Sequence, residues 1–128
     1  MIYLDTSAAV KALILDDETD DIRALFDTES ELVSSRLLAV ELNAVVDRRG
    51  LRAIDARALV ERVAQVSLND EVARRAIDLR SGLRTLDALH LASALAVGPL
   101  VTSFLSYDDE LNAAALRHGI PLHPLATH

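Results

Sequence analysis

The sequence predicts an α/β fold in which a parallel sheet is covered by crossover helices. Three observations carry this. The hydrophobic share is 51%, with no tryptophan, two phenylalanines and two tyrosines, so the core is aliphatic, a composition that favours helices packed on a sheet. Short apolar runs alternate with longer segments of helical period. The four glycines, Gly50, Gly82, Gly98 and Gly119, stand alone where helical patterns end, as helix C-caps do, and no linker or low-complexity stretch divides the chain. At 128 residues the length fits a single domain spanning 1–128.

In chain order, Ile2 to Asp5 reads as a strand, Ala8 to Leu15 as a helix and Asp20 to Asp27 as a second helix. A short strand at Leu32 to Ser34 precedes a strongly helical run from Leu37 to Arg49 and another from Asp55 to Val66. A brief strand near Ser67 leads to a helix from Glu71 to Ser81, and Thr85 opens and caps a helix running to Val97. Val101 to Ser106 is a strand, Asp109 to Arg117 a helix, and Ile120 to His123 an edge strand, where the flanking Pro121 and Pro124 are tolerated.

Composition excludes several chemistries. Without cysteine there is no disulfide, thiolate zinc site or cysteine nucleophile, and His90, His118, His123 and His128 lack paired ligand spacing. The start of the chain lacks a basic segment followed by an apolar run, and no stretch reaches the roughly twenty apolar residues of a membrane helix, so a cytoplasmic protein is expected. A net charge of −7 argues against binding nucleic acid by overall attraction, so any such contact must be local. Lys11 is the only lysine, which tells against aspartyl-phosphate chemistry; Ser7 also replaces the second aspartate of a phosphatase motif, and no two glycines are close enough for a phosphate loop.

Ligands in open α/β sheets bind beyond the carboxyl ends of strands, where Asp5 and Asp108 fall. Each could simply cap a helix, but Thr6 or Ser7 can replace Asp5 in that role and Asp109 can replace Asp108. Glu41 has Leu37, Leu38, Ala44 and Val45 one turn away, an apolar setting in which a carboxylate needs a cation or hydrogen bonds. Asp87 opens an apolar helix, and His90 three residues on could bond to it or merely pack. Together the four acids form the oxygen-only shell that hard cations demand. Magnesium or manganese so held keeps several waters, one of which can be made nucleophilic towards a phosphodiester. Without the metal, mutual repulsion predicts that Asp87→Asn and Glu41→Gln leave the protein equally or more stable.

At these residues the chain resembles the PIN-domain ribonucleases, and among them the VapC toxins of bacterial toxin–antitoxin pairs. The resemblance lies in Ile2-Tyr3-Leu4-Asp5-Thr6-Ser7-Ala8, Ala39-Val40-Glu41-Leu42, the segment from Leu83 through Asp87 to Ala92, and the segment from Phe104 through Asp108 to Leu111. It implies an α/β/α sandwich with a central, mostly parallel sheet and an acidic pocket that binds Mg2+ or Mn2+ and cleaves RNA, whether tRNA, rRNA or mRNA. By motif position Asp5 and Asp87 are the principal metal-binding residues, Glu41 completes the shell directly or through water, and Asp108 is the fourth acid, with Asp109 its competitor. Thr6, Ser7 and Ser106 match hydroxyl groups that orient acids or waters. The family likeness also implies a homodimer and a cognate VapB-like antitoxin. The acidic run from Asp16 to Asp21 could meet a basic antitoxin, although such a run is more often a solvated helix start. The alternative is a catalytically silent PIN-like module that binds RNA or protein; it predicts loss of acids, and all four are present.

Overall fold

The computed structural model describes residues 1–126; His128 lies outside them. Its order is β1 (Ile2–Leu4), α1 (Thr6–Ala9) running into a 3-10 turn at Val10–Ala12, α2 (Thr19–Thr28), β2 (Leu32–Ser35), α3 (Leu37–Arg49), α4 (Ala53–Glu61), β3 (Ala64–Val66), α5 (Asp70–Asp78), α6 (Thr85–Val97), β4 (Ser103–Leu105) and α7 (Asp109–Arg117). The four strands pair in parallel in the order β3-β2-β1-β4. Connections from β1 to β3 step one way along the sheet, and the next crosses back to the far side of β1. The strand order therefore switches direction between β1 and β4, the place where open α/β sheets form a crevice.

Strand alternation divides the core into two layers. Leu4, Leu32 and Leu105 face α1 to α4 with Ala8, Ile22, Phe26, Leu38, Leu42 and Ala56. Tyr3, Val33 and Phe104 face α6 and α7 with Leu91, Ala94, Leu111 and Ala114, and α5 packs against α6. This is the expected α/β/α sandwich.

Several boundaries differ from the sequence reading. The first helix begins at Thr6 and tightens to 3-10 geometry by Val10, so Ala8 to Leu15 is not one helix. The helix expected from Asp55 to Val66 ends at Glu61, because 64–66 pairs with Val33, Ser34 and Ser35. The strand expected near Ser67 is 64–66, ending directly before that residue, and tertiary pairing overrides the helical period there. Between 120 and 123 only Leu122 bridges to Phe104, in parallel. Gly50 and Gly119 end α3 and α7 at φ 64° and 82°, each followed by a six-to-one hydrogen bond, Leu51 N–H to Val46 C=O and Ile120 N–H to Ala115 C=O. Gly82 lies beyond the C-cap Leu79 of α5, in the following loop, and is not a cap. Among the described residues no helix is long and apolar enough to cross a membrane.

Candidate active site

Asp5 follows β1 directly, and its N–H bonds to the Leu105 carbonyl (3.0 Å), so pairing with β4 fixes its backbone. Its side chain is buried, and Oδ2 accepts from Ser7 Oγ (2.7 Å) and Ser106 Oγ (2.9 Å). Those hydroxyls also accept backbone protons, Ser7 from Tyr107 (2.9 Å) and Ser106 from Asp108 (3.0 Å). Asp5 stands at the N-cap of α1 without a side-chain capping bond, leaving its carboxylate to this network.

Asp108 differs from expectation: it is the N-cap of α7, accepting from Leu111 N–H (2.8 Å), and Asp109 takes no capping role in its place. The extended backbone at Asp108 precedes the helix, whereas Asp109 is already its first residue. Capping engages Oδ1, leaving the other oxygen for a ligand. Likewise Thr85 does not cap α6; its N-cap is Arg84, without a side-chain bond.

Glu41 projects from α3 towards α6. Its Oε1 accepts from Thr6 Oγ1 (2.8 Å) and lies 2.8 Å from Nε2 of the fully buried His90. His90 Nδ1 meets the Tyr3 hydroxyl at 2.9 Å, and its Nε2 is 3.5 Å from Asp5 Oδ1. His90 thus bonds Glu41 and Tyr3, not Asp87. Tyr3 stacks on Phe104 at 5.3 Å, and burial drives its pKa far above the ordinary tyrosine value, so its hydroxyl stays protonated.

Asp5, Glu41, Asp87 and Asp108 line one cavity of about 430 Å3 with Thr6, Ser7, Val10, Lys11 and Tyr107. Asp109 is not among its walls. Burial raises the pKa of Asp87, and the charges of Asp5, Asp108 and Glu41 raise it further, with only His90 opposing. Burial also works against ionised Glu41, but the hydrogen bond and attraction of His90 and the Thr6 hydrogen bond outweigh it and hold its pKa below the ordinary glutamate value.

These opposite shifts correct the expectation that either neutral variant is harmless without metal. Asp87 binds its proton more tightly folded than unfolded, so ionisation costs stability as pH rises from the ordinary aspartate range through its raised pKa. Asp87→Asn should be at least as stable as wild type at pH 7, with the advantage vanishing at acid pH. Glu41 contributes stability above the ordinary glutamate pKa and loses it as pH falls through its lowered value. Glu41→Gln should therefore lose about 1 kcal/mol at pH 7, the difference between charged and neutral hydrogen bonds. Denaturant melts of metal-free protein at pH 7 and 4 check both signs; a Glu41→Gln protein as stable as wild type would remove the His90 contact from the account.

Among the described residues, no three or more histidine, aspartate and glutamate side chains are already spaced as a metal shell. The donor set nevertheless suits a hard cation, being carboxylate oxygen around a cavity where burial and the like charges of Asp5, Asp108 and Glu41 outweigh the attraction of His90 at Asp87. Lys11, the one basic side chain lining the cavity among the described residues, pairs with Asp16 (2.6 Å) and Glu18 (3.5 Å) of the acidic run and lies 5.1 Å from the Tyr107 ring centroid. Asp20 and Asp21 occupy the first turn of α2. The run thus acts partly as a helix start and partly as a tether for Lys11. Sequence reasoning did not single out Lys11 or Tyr107 as lining residues; the lone lysine and the neighbour of Asp108 were their only signals.

Comparison with known proteins agrees with this architecture. Residues 2–121 match the model of the PIN domain. The chain is 37% identical over 126 residues to Ribonuclease VapC46 of Mycobacterium tuberculosis strain H37Rv, covering 93% of each, and 36% identical over 118 residues to Ribonuclease VapC47 of strain CDC 1551, covering 87% of each. Among solved structures it resembles M. tuberculosis VapC20, described as a Sarcin-Ricin loop cleaving toxin, with a TM-score of 0.74 at 18% identity, over 89% of this chain and 95% of that one.

Proposed function

The chain belongs to the PIN-domain family, among the VapC ribonucleases, and on that premise we propose that it is an endoribonuclease dependent on Mg2+ or Mn2+, the toxin of a VapBC-type pair. The observation that carries this reading is the convergence of four acids, from the ends of β1 and β4 and from α3 and α6, on one cavity at the switch point of the sheet.

Asp5 and Asp87 are the principal residues to hold the cation, with Glu41 completing the shell directly or through water and Asp108 the fourth acid. When bound, the ion supplies charge for the phosphodiester oxygens and an activated water. The protein's own part is to keep the oxygens ready. Ser7 and Ser106 hold Asp5 in one orientation, and Thr6 and His90 keep Glu41 ionised and pointed. Asp87, whose charge is raised in energy by its neighbours, gains most from a cation. Substrate RNA, whether tRNA, rRNA or mRNA, is read by the surface around the cavity. Family likeness supports a homodimer, a small VapB-like antitoxin and a cytoplasmic setting.

The test is to incubate purified protein, freed of antitoxin, with total RNA and Mg2+, and to map the fragments. Cleavage at defined positions is the expected result. No cutting of any RNA would favour the catalytically silent binding module instead.

A further inference from the structure

One turn beyond Asp108, the buried face of α7 consists of Leu111, Ala114 and Ala115 together with one polar residue, Asn112. Asn112 is only 7% exposed, and its Nδ2 donates to the Ser106 carbonyl at 2.9 Å. Its Oδ1 is buried and finds no partner among the described residues. Turning the amide over would set its carbonyl oxygen against that of Ser106, so the hydrogen bond fixes the orientation. A buried, unpaired carbonyl opposes folding, and leucine, of similar size, would avoid it.

What the amide does in return is local. Asn112 holds the Ser106 carbonyl, while the Ser106 hydroxyl donates to Asp5 Oδ2 and accepts the N–H of Asp108. Independently of its side chain, the main-chain N–H of Asn112 closes the first turn of α7 on the Asp108 carbonyl at 2.9 Å, so the amide is held one turn from that acid. One side chain outside the cavity therefore fixes the turn that sets two acids, Asp5 and Asp108, relative to each other. We propose that Asn112 is a positioning residue for the acid cavity, acting through Ser106 on Asp5 and Asp108. This rests on the metal-binding reading given above.

The test measures Mn2+ affinity directly, by electron paramagnetic resonance of free Mn2+ titrated into the full-length protein, alongside RNA cleavage. Asn112→Leu should bind Mn2+ roughly tenfold more weakly, the scale seen when residues supporting metal ligands are lost. At saturating metal its kcat should fall with KM for RNA unchanged. Asn69→Ala, which removes the cap on Val72 N–H far along the chain, should lower the melting temperature and leave Mn2+ affinity unchanged. If Asn112→Leu does not fold, Asn112→Ser, smaller and still polar, is expected to fold and to show the same weakening. Wild-type Mn2+ affinity in the folded variant would overturn the positioning role while leaving the nuclease reading intact. Failure of the wild type itself to bind Mn2+ would overturn the metal-binding reading and this proposal with it.

Discussion

Asp87→Asn is expected to lower RNA cleavage by roughly a hundredfold or more, since a metal site contributes several kcal/mol of charge stabilisation and each 1.4 kcal/mol is a factor of ten in rate. Asp87 lines the cavity, and its charge is pushed up by burial and by Asp5, Asp108 and Glu41. A group so placed is the one whose ionised form depends most on a cation, and the amide that replaces it offers a single neutral oxygen. The variant should remain folded, because removing this charge relieves repulsion in the metal-free protein. Single-turnover cleavage at saturating Mg2+, with circular dichroism as the check on folding, measures the effect. A folded variant cutting within a few-fold of wild type would place Asp87 outside the reaction.

The elements that the sequence defined well are those whose ends carry local chemistry. Helix α3 stops where Gly50 supplies a left-handed conformation, and α6 and α7 begin and end where their apolar period does. The helical reading fails over 62–66, where Val60, Val63 and Val66 continue a helical spacing. What decides there is the parallel pairing of 64–66 with β2, a contact made across thirty residues of chain.

The four acids were legible for a related reason. Strand ends border the ligand crevice of an open α/β sheet, and a carboxylate on an apolar helix face needs a cation or hydrogen bonds; the structure brings all four acids to one cavity. Asp108 is the instructive case: it caps α7 and also lines the cavity, so a capping role does not exclude a functional one. Lining of the cavity also separates Asp108 from Asp109: register with Tyr107 and Leu111 favours Asp108, but spacing alone leaves Asp109 open. The hydroxyls of Thr6, Ser7 and Ser106, which the family likeness singles out, do bond Glu41 and Asp5, but the partners of His90 were not legible. His90 stands three residues from Asp87, yet it reaches across to Glu41 and Tyr3, because α6 packs on the sheet face that carries Tyr3. Asn112 gave no signal, since its effect depends on the turn at Ser106 having folded.

The second large effect concerns the reaction itself. Removal of divalent metal by EDTA is expected to stop cleavage completely, and Mg2+ or Mn2+ to restore it, because four carboxylates cannot approach a phosphodiester without a cation to offset their charge. Attack by water in line with the leaving oxygen leaves the RNA 2′-hydroxyl unused. A histidine-driven ribonuclease would use that hydroxyl, work in EDTA and leave a cyclic phosphate. Among the described residues no histidine lines the cavity: His90 is fully buried between Tyr3 and Glu41, His118 is exposed at the end of α7, and His123 Nδ1 accepts the N–H of Leu125. The deciding measurement is therefore the chemistry of the product ends, mapped for wild type and Asp87→Asn with Mg2+ and with EDTA. The account predicts 5′-phosphate and 3′-hydroxyl ends from wild type with Mg2+ alone. Cyclic phosphate ends formed in EDTA, undiminished in Asp87→Asn, would contradict it.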